Sequence, residues 1–213
     1  MNEATLSVHP LVETTASDYL RVLSDLMLST EVTDGHGTVL SLDEGAARAV
    51  QMILAVGAAS RKVMLVGNGG SAAIVSHMQN DICKAVGVRA MVFTEQPLLT
   101  ALANDHGYAS VYERTVELWA EPGDLTLAVS SSGQSENILR AVSASAERQC
   151  DVITLSGFSP DNPLRGKGDL NFYVHSGFYG YVENVHRALT HFMTDRAMLI
   201  TGAPAKAEAD SDE

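Results

Sequence analysis

The strongest constraint in this chain is an alternation. Short runs that are apolar along their whole length, each stopped by glycine or a polar loop, are separated by segments with helical spacing. The runs are Lys62 to Val66, Arg89 to Thr94, Leu125 to Val129, Asp151 to Leu155 and Leu170 to Val174. A strand with no polar face has to be covered on both sides, which is the condition of a parallel sheet with helices on each face. The expected fold is therefore α/β, a three-layer αβα sandwich around a five-stranded parallel sheet. A length of 213 residues with 46% hydrophobic content suffices for one core, so a single domain is expected over residues 1–203.

Thr14 to Thr30 places Tyr19, Leu20, Leu23, Leu26 and Met27 at helical spacing. Glu31 to Leu40, rich in Thr, Gly and Val, reads as a loop. Ser41 followed by Glu44 has the form of a capping box, and a helix is expected from there to Ala59. Further helices are expected over Ser71 to Val86, Leu98 to Ala103, Tyr108 to Trp119, Ser135 to Gln149 and Tyr181 to Ile200. Residues 204–213 are acidic and small, the composition of a disordered tail.

A net charge of −12 repels phosphate backbones, so no nucleic acid partner is expected. No apolar run approaches the ~20 residues of a membrane helix, so no membrane partner is expected either. The N-terminus lacks a basic segment followed by an apolar one, which makes the cytoplasm the expected compartment. The two cysteines, Cys83 and Cys150, are not at metal-ligand spacing and read as unpaired thiols.

Two polar loops follow strands and open helices, the place where open parallel sheets bind ligands. In Gly67-Asn68-Gly69-Gly70-Ser71 the glycines let backbone approach a ligand, and the helix start offers free N–H groups. The lysine of a nucleotide-triphosphate loop is missing. In Ser130-Ser131-Ser132-Gly133-Gln134-Ser135 several hydroxyls surround a glycine, which suits a phosphate monoester. The competing explanation is that they are ordinary helix caps.

GNGGSA after the first run and SSSGQSEN after the third resemble the sugar isomerase (SIS) domain family. LANDHGY at Leu102 to Tyr108, EPGDL before the serine loop, and Glu183, His186 and His191 near the C-terminus resemble its phosphoheptose isomerases. The resemblance implies a flavodoxin-like SIS fold. It implies phosphate ligands at Ser71, Ser130, Ser132 and Ser135 with Ser131 adjacent, Gly69 and Gly70 in the same cradle, and Asn68 on sugar hydroxyls. Asn104, Asp105 and Glu183 would line the same pocket. It further implies a homotetramer with sites shared between subunits.

His77 and Asp81 share a helix face, and Glu183 and His191 are about two turns apart, whereas His186 and His191 diverge. Taken alone, such pairs are more often structural than functional. The resemblance makes His77, Asp81, Glu183 and His191 the ligands of one Zn²⁺, a set that also suits neighbouring divalent ions. It makes Asp81 the group that moves the carbon-bound proton and His191 the group that manages the oxygens. The implied reaction converts sedoheptulose 7-phosphate to a heptose 7-phosphate through an enediol(ate). The family usually has glutamate where this chain has Asp81 and glutamine where it has Glu183. A shorter carboxylate shifts the geometry, and an added charge tightens metal binding while lowering Lewis acidity. Two alternatives stay open at this point: a non-catalytic SIS phosphosugar-binding regulator of the type that binds the replication initiator, and an isomerase of another phosphosugar.

Overall fold

The computed structural model describes residues 15–202, so the acidic tail expected over 204–213 lies outside the described residues. The apolar runs form β3 (Lys62–Gly67), β4 (Arg89–Val92), β5 (Leu125–Ser130), β6 (Asp151–Gly157) and β7 (Leu170–Val174). All are parallel, and they are flanked by α1 (Ala16–Leu28), α2 (Leu42–Ala58), α3 (Gly70–Asp81), α4 (Gln96–His106), α5 (Val111–Trp119), α6 (Glu136–Glu147) and α7 (Tyr179–Thr201). The α/β class is as expected, but the sheet has seven strands rather than five. The extra pair is the segment read as a loop: β1 (Glu31–Asp34) and β2 (Val39–Leu40) form an antiparallel hairpin, and β1 pairs antiparallel with β7. The Asp34 carboxylate closes its turn by accepting from the N–H groups of Thr38 and His36 at 2.8 and 2.9 Å. The Thr38 bond, the larger influence, holds that carboxyl below its ordinary pKa. Strands this short carry too few alternations for a period of two to show.

The order is β2-β1-β7-β6-β5-β3-β4. The chain runs outward in one direction from β3 to β4 and in the other through β5, β6 and β7. The strand order therefore reverses between β3 and β5, the switch point where a doubly wound sheet opens a crevice. Alternate residues of β3 serve opposite layers. Val63 and Leu65 pack with α2, α3 and α7, whereas Met64 and Val66 pack with α5 and α6.

Local signals set several boundaries. Ser41 and Glu44 form the expected capping box, with Glu44 Oε2 accepting from the Ser41 N–H at 2.9 Å. After Asp81 the helix widens into a π turn, Ile82–Val86, and ends on Gly87 in the left-handed conformation. Residues 108–119 divide into a 3₁₀ turn, Tyr108–Ser110, followed by α5. No helix among the described residues is long and apolar enough to cross a membrane.

Candidate functional site

The loops after β3 and β5 meet at the switch point around a cavity of about 240 Å³. Its lining is Asn68, Gly69, Gly70, Ser71, Ser130, Ser131, Ser132, Ser135, Tyr179 and Glu183. Gly69 takes φ +54° at the N-cap of α3, and Gly133 takes φ +63° in the serine turn, where Asn162 leaves no room for a Cβ. The turn closes with Gly133 N–H donating to Ser130 O at 3.0 Å.

The serine hydroxyls are not spent on capping. Ser135 is the N-cap of α6, yet its side chain makes no capping bond. It receives only a long contact, 3.4 Å, from the Ser130 hydroxyl. The Ser131 hydroxyl is buried without a partner. An unmade bond of that kind costs about 1–3 kcal/mol, so it needs an explanation, and a ligand oxygen supplies one. The start of α3 at Gly70, the N-cap of α6 at Ser135 and the start of α7 at Tyr179 all reach the cavity. Each helix start carries a partial positive charge of about half a unit. Among the described lining residues none is cationic, so the attraction for an anion comes from backbone dipoles and hydroxyls.

A second group lies further along the same two helices. His77 and Asp81 of α3 and His191 of α7 bring one ligand atom each to within 4.8 Å of one another. Asp81 Oδ2 is 3.4 Å from His77 Nε2 and 3.6 Å from His191 Nδ1, and the imidazoles meet edge to face with centroids 4.9 Å apart. The shorter Asp81 side chain thus still reaches both imidazoles. Two nitrogens and one carboxylate oxygen, with side-chain exposures of 45, 22 and 38% for His77, Asp81 and His191, suit a divalent ion that keeps an open position. The donor set therefore fits zinc or a neighbouring metal.

Glu183 does not join this group. Its carboxylate lies over Gly70, leaving no space there for a Cβ, and it faces the cavity. α3 and α7 run side by side, with Glu183 against Gly70 and His191 against His77 and Asp81. Glu183 and His191 are separated by about 12 Å of helix rise. His186, on the same helix, is fully buried and bonds Ser156 O at 3.2 Å through Nε2. Burial pushes its pKa down to about 4.

Asn104 and Asp105 stand exposed at the end of α4, where Asn104 donates to Asp105 at 2.9 Å, and neither lines the cavity. Their neighbour Tyr108 does reach the site, donating to Asn68 Oδ1 at 2.9 Å. Sequence reasoning missed Tyr108, Tyr179 and Asn137. Asn137 closes the SSSGQSEN motif and bonds Asn68 in both directions. Its place in the motif was a usable signal, whereas Tyr179 lies just before the expected helix start.

The SIS domain family model matches residues 22–157, which include both loops and stop short of α7. The chain is 36% identical over 165 residues to the phosphoheptose isomerase of Bordetella avium, covering 73% of this chain and 83% of that one. Among solved structures it superposes on a phosphoheptose isomerase from Neisseria gonorrhoeae with TM-score 0.69 and 29% identity, over 73% of this chain and 87% of that one. A phosphoheptose isomerase from Francisella tularensis, at 22% identity and TM-score 0.72 over 86% of this chain and 98% of that one, shares the fold.

Proposed function

The chain belongs to the SIS domain family and, within it, to the phosphoheptose isomerases, and we propose that it converts sedoheptulose 7-phosphate to D-glycero-D-manno-heptose 7-phosphate. The observation that carries this reading is the pairing of an anion cavity at the switch point with a His/Asp/His group on the same two helices. The helix starts and the hydroxyls of Ser71, Ser130, Ser131, Ser132 and Ser135 hold the phosphate, and Asn68 donates to a sugar oxygen. With the phosphate fixed, the other end of the sugar extends along α3 and α7.

Isomerisation moves a proton from C1 to C2 and another from O1 to O2. Asp81 takes the C1 proton, leaving an enediol(ate), and returns it to C2. His191 shuttles the proton between the oxygens and assists ring opening. His77, Asp81 and His191 are the residues that would hold a Zn²⁺, with Glu183 set apart from them against Gly70. When bound there, the ion supplies charge stabilisation to the substrate oxygens. The exposed Leu20 and Leu28 of α1 and Phe192, Leu199 and Ile200 of α7 support assembly into a homotetramer with shared sites. The proposed compartment is the cytoplasm.

Incubation with sedoheptulose 7-phosphate, with and without Zn²⁺, tests the reading, with the product followed by NMR because its mass is unchanged. Formation of the aldose is expected. Tight binding of the ketose without any conversion would point instead to a phosphosugar-binding regulator.

A further inference from the structure

The hydrogen-bonding capacity of Asn68 is nearly used up before any ligand arrives. A carboxamide offers two N–H donors and two acceptor lone pairs. Asn68 Oδ1 accepts from Asn137 Nδ2 at 3.0 Å and from Tyr108 Oη at 2.9 Å, which fills both lone pairs. Its Nδ2 donates to Asn137 Oδ1 at 2.9 Å, closing a reciprocal amide pair. One N–H is left, on a residue that lines the cavity.

We propose that Asn137 and Tyr108 are positioning residues that present Asn68 to the sugar as a donor only, so that the substrate oxygen it meets must accept. The inference rests on the reading of the cavity as a sugar-phosphate site. The clamp comes from two directions. Asn137, 3% exposed, stands in the first turn of α6. Tyr108 opens the 3₁₀ turn, and one turn later Tyr112 donates to Gly67 O at 2.7 Å. The segment carrying the tyrosines therefore grips two successive residues of the β3 loop, and Asn137 grips the second of them from α6. Burial raises the Tyr112 hydroxyl to about 12, which keeps it a donor.

The chemical consequence is selectivity. A hydroxyl or carbonyl oxygen can accept the remaining N–H, whereas an ammonium at the same place has no lone pair and is refused. Loss of the Tyr108 hydroxyl frees a lone pair on Oδ1. The Asn68 and Asn137 carboxamides can then turn over together, keeping their reciprocal pair, and Asn68 offers an acceptor to the cavity instead.

The test compares Tyr108→Phe, Asn68→Ala and the double variant. Turnover of sedoheptulose 7-phosphate and inhibition by inorganic phosphate are measured for each. Tyr108→Phe is expected to lower kcat/KM about fivefold and to leave phosphate inhibition within about twofold. In the Asn68→Ala background it should cost nothing more, because its effect passes through Asn68. An equal loss in both backgrounds overturns the proposal. The side-chain amide pair of Asn68, followed by ¹⁵N NMR in phosphate-loaded protein, gives a readout without catalysis. An unmoved pair in Tyr108→Phe overturns the clamp. A moved pair in a protein that turns over no sedoheptulose 7-phosphate upholds the clamp and sinks the substrate reading.

Discussion

The cavity and the His/Asp/His group share two helices but are made of opposite materials. Apart from the Glu183 carboxylate, the cavity is lined by glycines, hydroxyls, the Asn68 amide and helix starts, with Ser71, Ser130 and Ser131 buried. The His77, Asp81 and His191 group consists of acid–base side chains that remain partly exposed on the flank of α3 and α7. Holding an anion needs fixed dipoles and no proton transfer. Moving protons needs side chains that can change charge and a solvent-facing position for substrate or metal. The difference teaches that binding and reaction are separable here by mutation.

The largest expected effect breaks them apart directly. Asp81→Asn or His191→Gln should each lower turnover about 10³-fold while leaving inhibition by inorganic phosphate unchanged. Full activity in either variant overturns the assignment of that residue.

His186 sharpens the comparison from inside α7, as an imidazole with no solvent. The unfolded chain protonates it near 6.5, whereas burial lowers its folded value to about 4. Stability is therefore intact above the unfolded value and is lost as pH falls through this window, by about 3 kcal/mol in all. Urea titrations at several pH values should show that slope for the wild type and a flatter one for His186→Gln.

Metal addition should separate the regions again. Zn²⁺ at ~100 times its Kd is expected to stabilise the wild type by about 2.7 kcal/mol, and His77→Ala should abolish the effect. A wild-type protein that carries no metal after purification and melts identically with and without Zn²⁺ would count against the site. Removing one cradle hydroxyl should matter least. Ser132→Ala is expected to weaken phosphate inhibition about tenfold, with the melting temperature and zinc response unchanged.

The parts legible in the sequence are those set by near neighbours. The run KVMLV had to be a covered strand, and Ser41 with Glu44 had to start a helix. The hairpin at residues 31–40 was not legible, because its strands are short and their stability comes from pairing with β7, far along the chain. At the site, the serine loop announced itself through composition. The placing of Glu183 over Gly70, away from His77 and Asp81, did not, because it depends on which turns of α3 and α7 lie side by side. Asn137 was marked by its place at the end of SSSGQSEN, but the shared role of Tyr108 and Asn137 was hidden for a related reason, since it is visible only once both are seen to meet Asn68.

The convergence of the α3, α6 and α7 starts on the cavity has a consequence for how ligand affinity responds to acidity. Peptide dipoles and serine hydroxyls have no proton to gain or lose near neutrality. A phosphate monoester does, with its second ionisation near ~6. Across that range the attraction of these dipoles and hydroxyls should follow the charge state of the ligand, so in a Glu183→Gln variant, whose cavity lining carries no carboxylate, the pH profile of phosphate binding would report the visitor's titration.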